Sequence, residues 1–318
     1  SIVFTEELTF SSSRLINNHT DFHTERQKQI LKKINKITNF KQIKSLIDKI
    51  KEFKILVIGD SCTDVYVFGK CKRLSFESPV PILKVTRKES RPGMASNVVK
   101  NLTGLGHEVE IICNKERIEK KRVVDEDYFH HLLRVDTEPD VEEINLEIFN
   151  NLEKYKMYDA FVISDYCKGF LTQKKCKALV EKLITLKKPI FVDSKKQDIS
   201  CFKGCIIKIN EIEFKNASNE PKDCEMIVTL GKRGAMWRGD IFPSHASEID
   251  KLFEKSNNQS LRMANVCGAG DTFFSGLVDC YLQTSGNIKS SIEFANKCAS
   301  ICIDNFGTYS IKRRDIKF

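Results

Sequence analysis

A chain of 318 residues, 41% of them hydrophobic, can bury one large α/β core with an appendage, or two modest domains. Its 52 basic and 43 acidic residues leave a net charge of +9, but the lysines are scattered and accompany no recognition motif, which argues against nucleic acid as a partner. No run of about 18 apolar residues exists, which excludes a membrane-spanning helix. The twelve cysteines form no CxxC pair and no secretion signal precedes them, so they read as free thiols of a cytoplasmic protein.

Residues 1–23 are polar and irregular and include Ser11-Ser12-Ser13. The chain opens without a Met and without a basic leader, so a processed product or a piece of something longer is expected. Over 24–53 the apolar residues Ile30, Leu31, Ile34, Ile37, Phe40, Ile43, Leu46, Ile47 and Ile50 recur every three or four positions, which predicts one or two amphipathic helices. The texture changes at Lys54. Short apolar runs ending in polar or glycine residues follow at 54–60, 160–165, 189–193, 205–210 and 226–231, with helical stretches such as 172–187 between several of them. Runs that are apolar throughout suit strands of a parallel sheet covered by helices on both sides, with ligands at the strands' carboxyl ends. Two segments break this rhythm. Residues 65–86 and 120–136 look like β-hairpin material and are expected to form a small separate sheet, a lid over the site. Cys298 and Cys302, four apart on a helix, read as small buried hydrophobes.

The sharpest chemical signal is NVCGAGDTFFSG at 265–276. Glycines opening a helix let backbone N–H groups approach an anion, and the helix dipole adds to the attraction. An Asp beside that anion hole can accept the proton of an attacking hydroxyl. A plain loop with a capping Asp would carry the same letters.

Further motifs turn this signal into a resemblance. GAGDTFFSG resembles the second signature of the PfkB family of carbohydrate kinases, and RPGMASNVVKNLTGLG (91–106) resembles the first. VTLGKRGA (228–235) is similar to the family's nucleotide-binding strand and turn, and NEIE (210–213) to its Asn-x-x-Glu motif. Within the family, GDSCTDVYVFGKCKRLSFESPVPILKV (59–85), SDYCKGF (164–170) and VDSKK (192–196) resemble the heptose-7-phosphate kinase branch. The resemblance implies a ribokinase-like α/β fold: a central, mostly parallel sheet flanked by helices, with a small β-sheet lid. It implies ATP and Mg2+ as cofactors and a sugar phosphate as the partner substrate, phosphorylated at the anomeric hydroxyl of a heptose-like sugar.

Site residues follow position by position from the resemblance. Asp271 is the base, with Gly268, Ala269 and Gly270 as the anion hole. Thr229, Gly231 and Gly234 lie along ATP, Lys195 suits either the ATP phosphates or a solvated surface, and Asn210 and Glu213 hold magnesium indirectly through water and phosphate. Asn296 suits either the adenine or helix packing. Asp60, Asp64, Arg73, Gly93 and Asn97 are the candidates for the sugar and its phosphate. Three departures stand out: Met94 replaces the second Gly of a usual pair, Asn265 stands where an acid usually helps a monovalent-cation loop, and a helix-sized segment is missing between Cys113 and Lys121.

LTFSSSRLINNHTDF (8–22) resembles the end of a nucleotidyltransferase domain, a domain to which heptose kinases are often fused. The organisation expected is therefore an N-terminal extension over 1–53, the tail of such a transferase plus linker helices, and a kinase domain over 54–318 with lid segments 65–86 and 120–136. A homodimer through the lid is a further expectation, because an open sheet edge invites pairing. Rival readings are a PfkB kinase for another sugar phosphate or a nucleoside, and a non-catalytic kinase-like domain that binds sugar or nucleotide.

Overall fold

The apolar runs that begin at Lys54 fold as strands buried on both faces. The structure is a computed structural model that describes residues 50–244 and 267–316 apart from positions 129, 222 and 306. In chain order the elements are β1 (Lys54–Gly59), β2 (Ser61–Leu74), β3 (Pro81–Met94), α1 (Ala95–Gly104), β4 (Glu108–Cys113), β5 (Ile118–Asp125), β6 (His130–Thr137), β7 (Ala160–Asp165), α2 (Gln173–Ile184), β8 (Ile190–Ser194), β9 (Ile206–Asn210), α3 (Glu211–Asn216), β10 (Glu225–Thr229), β11 (Ala235–Trp237), β12 (Asp240–Phe242), α4 (Ala269–Gln283) and α5 (Ile288–Ile303), joined in places by short 3-10 turns. The serine cluster, Asn265 and nearly all of the segment 24–53 lie outside the described residues.

Among the described residues the main sheet has eight strands in the order β12-β11-β10-β9-β8-β7-β1-β4. The six from β10 to β4 run parallel, and β11 and β12 add an antiparallel edge. Strand residues alternate between two cores. Leu56, Ile58, Phe161, Ile163, Val192 and Ile207 pack with Cys176, Leu179 and Leu183 of α2. Ile55, Val57, Val162, Phe191 and Ile227 face Val98 and Leu102 of α1, Phe274 and Leu277 of α4, and Ile292 of α5. Two apolar faces per strand explain why these runs carry no period-two pattern. No helix among the described residues is long and apolar enough to cross a membrane.

The two aberrant segments form the second sheet, four strands in the order β3-β2-β5-β6. β2 and β3 are antiparallel, as are β5 and β6, and the two pairs join through a parallel β2–β5 contact. β2 starts earlier than its composition suggests, at Ser61 directly after Asp60. Pairing of Ser61–Asp64 with Arg91–Met94 overrides the weak strand preference of Ser, Thr and Asp there. β4 and the short β11–β12 pair were not legible as separate strands.

One buried ionic knot fixes α4 against the rest. The Asp279 carboxylate, 1% exposed, accepts hydrogen bonds from Arg313 Nη1 at 2.8 Å and Nη2 at 2.6 Å, and it pairs with His107 Nε2 at 3.0 Å. Phe53 N–H donates to His107 Nδ1, so Nε2 carries the proton toward Asp279. Breaking a buried pair from one side strands the other charge and typically costs about 3–5 kcal/mol. Arg313→Ala is therefore expected to lower the free energy of unfolding by about 3 kcal/mol in a denaturant titration; a loss below about 1 kcal/mol, the scale of an exposed pair, would show that the knot is not structural.

Candidate active site

The site is built where β1, β7, β8 and β9 end and α4 begins. Gly268 caps α4 at φ 81°, a left-handed conformation natural only to glycine. A Cβ there would lie 3.2 Å from Asn97 Nδ2, so the absent side chain also lets α1 approach. Thr272 N–H bonds back to the Gly268 carbonyl, so the first-turn amides of Ala269, Gly270 and Asp271 have no intrahelical acceptor. Asp271 itself is buried. Its Oδ2 accepts from Asn97 Nδ2 at 2.8 Å and its Oδ1 from the Tyr166 hydroxyl at 2.6 Å. Burial raises the Asp271 pKa above the ordinary carboxylate value, while the bonds from Asn97 and Tyr166 pull it back down. A base in such a position is ionised only above that raised pKa, so activity should rise with pH through it.

Positive charge converges on the same helix end. Lys208 lies on β9 with its side chain 4% exposed and bonds Asp193 Oδ2 at 2.7 Å. Its ammonium is 3.2 Å from where a Cβ on Gly270 would sit, so it stands beside the first-turn amides. Lys195 bridges Glu213 at 2.5 Å and Asp193 at 3.5 Å. Burial disfavours the charged form of Asp193, but Lys208 and Lys195 outweigh it and hold its pKa below the usual range.

Asn210 and Glu213 form a reciprocal cap at the start of α3. Asn210 Oδ1 accepts from Glu213 N at 2.8 Å, and Glu213 Oε2 accepts from Asn210 N at 2.8 Å. With Lys195 on Oε1, both Glu213 oxygens already have partners, and among the described residues no group of three His, Cys, Asp or Glu is gathered to grip a metal directly. This donor set fits a magnesium ion held through its own water, the way that ion is commonly bound.

The sugar-side candidates divide. Asp64 is buried and takes a 2.5 Å bond from Arg122 Nη1, and Gly93 is needed beside it because a Cβ there would meet Asp64 Oδ2 at 2.8 Å. Asn97 reaches Asp271 as described. Asp60, fully buried, instead fixes the turn after β7 by accepting from Tyr166 N at 2.7 Å and Lys168 N at 3.2 Å. Arg73 is exposed near the far end of β2, its guanidinium 5.9 Å from the Phe76 ring. Nine residues of strand separate it from Asp64, roughly 30 Å, so the fold does not bring it to Asp271 within one chain.

On the nucleotide side, Thr229 ends β10 and its hydroxyl donates to the Ile209 carbonyl at 3.3 Å. Gly231 and Gly234 shape the turn that follows, both at positive φ. Asn296 on α5 donates to the Phe242 carbonyl at 3.0 Å, which makes it a packing residue at the end of β12.

Sequence reasoning placed Asp193 at a strand's carboxyl end without giving it a role, and it missed Tyr166, Lys208, Lys120 and Arg122. One signal was available: Lys208 interrupts the buried run CIIKIN and requires a partner, and the register pairs it with Asp193 on the next strand.

Comparison with known proteins meets the same residues. Residues 206–314, which hold the Asn210 cap, the β10 turn and α4, match the model of the pfkB family carbohydrate kinases. Over those residues the chain is similar to a PfkB-family domain. Among curated proteins it is similar to the bifunctional protein HldE of Campylobacter jejuni subsp. doylei, 32% identical over 83% of this chain and 64% of that protein. The same-named protein of Campylobacter jejuni subsp. jejuni serotype O:2 is 31% identical at the same coverage, so the chain spans 64% of the length of these relatives. Among solved structures, phosphofructokinase-2 from Escherichia coli in complex with potassium matches with a TM-score of 0.60 at 15% identity over 83% of this chain and 97% of that one. Ribokinase from Arabidopsis thaliana complexed with ribose and ATP matches with 0.56 at 12% identity and the same coverage. The described residues thus have the ribokinase-like fold.

Two departures from the family pattern acquire a shape. Met94 holds φ 54°, ψ −133°, a glycine-like conformation, and its buried side chain fills a small core with Cys62 and Ile118. Such a backbone costs about 1–3 kcal/mol. Where the heptose kinases carry a further segment, residues 114–117 simply join β4 to β5, tied down by Asn114, whose Oδ1 accepts from Ser61 N at 2.7 Å.

Asp271→Asn keeps the size of the side chain, removes the proton acceptor and turns one of its two accepting oxygens into a donor. It is expected to slow phosphoryl transfer by about 10²–10⁴-fold while nucleotide affinity, read by calorimetry, stays near wild type. Near wild-type turnover in the variant would remove Asp271 from the chemistry.

Proposed function

We propose that the chain is an ATP-dependent sugar kinase acting on a heptose-phosphate-like substrate. The observation that carries the proposal is Asp271, a buried carboxylate with Asn97 on one oxygen and Tyr166 on the other, at the mouth of a helix whose first amides have no intrahelical acceptor. In this reading Asp271 takes the proton of the acceptor hydroxyl. The amides of Ala269 and Gly270, with Gly268 setting the turn, stabilise the charge on the transferring phosphoryl group, usually the largest catalytic contribution. Lys195 and Lys208 meet the phosphates of ATP. Asn210 and Glu213 face a water-bearing Mg2+, which neutralises phosphate charge when bound, and Thr229, Gly231 and Gly234 border the nucleotide.

A phosphate on the acceptor is supported by the inner face of the second sheet. Lys120 points its ammonium toward the Tyr166 ring, 5.8 Å from the centroid, and among the described residues no carboxylate lies within ion-pair distance of it. Arg122, beside it on β5, holds Asp64. Two cations facing the acceptor side suit an anionic sugar better than a neutral nucleoside. The similarity to bifunctional HldE, at 64% of its length, supports the heptose branch and a partnership with a nucleotidyltransferase; in this reading 1–53 are an N-terminal extension, the tail of such a transferase plus linker helices, and 54–318 are the kinase domain. Exposed Leu74, Phe76 and Val80 at the tip of the second sheet support pairing with a second copy through the lid. Cytoplasmic location accords with ATP as the donor.

The test is a coupled ADP-release screen over sugar phosphates, with and without magnesium. A heptose 7-phosphate is expected to stimulate magnesium-dependent ADP release above the basal rate, with its unphosphorylated sugar a poorer acceptor. Equal response to neutral nucleosides, or none to any sugar phosphate, would overturn the assignment.

A further inference from the structure

We infer that Tyr166 is a positioning residue for Asp271: its hydroxyl grips one carboxylate oxygen so that, together with Asn97 on the other, the plane of the base is fixed before the acceptor arrives. The inference rests on the reading of Asp271 as the base.

The geometry is specific. Tyr166 follows β7 directly, and its backbone is held from two sides. Asp60 Oδ2 accepts from Tyr166 N at 2.7 Å and from Lys168 N at 3.2 Å, and Asp165 Oδ1 accepts from Cys167 N at 3.0 Å. The side chain packs beside Cys62, Met94 and Ile118. Two ammonium groups lie near its ring, Lys195 Nζ at 5.3 Å and Lys120 Nζ at 5.8 Å from the centroid. The hydroxyl ends 2.6 Å from Asp271 Oδ1. A carboxylate offers about four lone-pair sites over its two oxygens. Asn97 and Tyr166 take one on each, which leaves one on each for an acceptor hydroxyl and removes the freedom to rotate.

Burial, with Asp271 and Asp193 nearby, pushes the Tyr166 phenol well above its ordinary pKa, so it remains a donor across the working pH range. Its bond favours the ionised form of Asp271 against the burial that opposes it. Other titratable groups face Asp271 too: Cys62 from β2, Asp193 and Lys195 from the end of β8, Lys208 from β9 and Cys302 from α5. Tyr166→Phe leaves all of them, the ring and its two ammonium contacts in place, and removes only the hydroxyl.

Two readouts test the role. The first is the carboxyl 13C titration of Asp271 in aspartate-labelled protein, assigned by the signal lost in Asp271→Asn. A hydrogen bond to a charged group is worth about a tenfold to hundredfold factor, so the Asp271 midpoint is expected to rise by about one pH unit in Tyr166→Phe. The second is kinetic, with ATP, magnesium and D-glycero-D-manno-heptose 7-phosphate. kcat is expected to fall about tenfold or more, the acid limb of kcat/KM to move to higher pH, and KM for the sugar to change little. An unchanged midpoint with an unchanged acid limb would overturn the inference and leave a Tyr that merely packs. Should Asp271→Asn keep its turnover, the reading of the base fails instead, and the 13C midpoint still reports whether Tyr166 holds that carboxylate.

Discussion

A carboxylate taken out of water must be held by hydrogen bonds or by charge, and at Asp271 that requirement organises the molecule. Its two partners come from elements far apart in the chain, Asn97 from α1 and Tyr166 from the turn after β7. A glycine at 268 eases the approach of Asn97 on α1, because its φ of 81° disfavours other residues and a Cβ would lie 3.2 Å from the amide nitrogen. For the turn to deliver Tyr166, Asp60 must lie fully buried beneath it and accept two backbone N–H groups. The second sheet is drawn into the same construction. The Tyr66 hydroxyl on β2 accepts from Thr308 N at 3.1 Å, next to the loop that backs Gly268. One carboxyl group thus ties α4 to α1 and to the turn after β7, and the second sheet joins through Thr308.

Around this node the strand ends carry charge in a graded order. Asp165 accepts from Ser194 Oγ at 2.7 Å and meets Lys196 at 3.1 Å. Asp193 has Lys208 and Lys195. Asp271 has neutral donors only, and burial pushes its pKa upward where the lysines hold that of Asp193 down. A separation of this kind accords with the proton-accepting role proposed for Asp271 and a charge-fixing role for its neighbour.

Much of the architecture was legible in the sequence because buried parallel strands leave an unmistakable mark. The runs at 54–60, 160–165 and 205–210 are apolar throughout, and the strands formed agree within a residue or two. The second sheet was legible through its alternation, though not the early start of β2, whose Ser61–Asp64 take their conformation from β3. Asp271 stood out because its glycine-led helix start comes with the other family-like motifs; alone, the same letters would suit a loop with a capping Asp. Tyr166 did not, since nothing local distinguishes a tyrosine that reaches a residue 105 positions away from one that packs. Arg73 was legible as a cation in a motif but not as one roughly 30 Å along a strand from Asp64. The Asn210–Glu213 spacing signals a helix cap and a magnesium motif equally well, and the cap accounts for both side chains.

The account stands or falls on where the acceptor hydroxyl and the terminal phosphate meet. A crystal structure of the protein with magnesium, an unreactive ATP analogue and a heptose 7-phosphate measures this directly. The predicted result is an acceptor hydroxyl about 2.6–3.2 Å from Asp271, in line with a terminal phosphate seated on the first amides of α4 beside Lys208. A nucleotide bound away from that helix end, or a sugar with no hydroxyl within reach of Asp271, would contradict it.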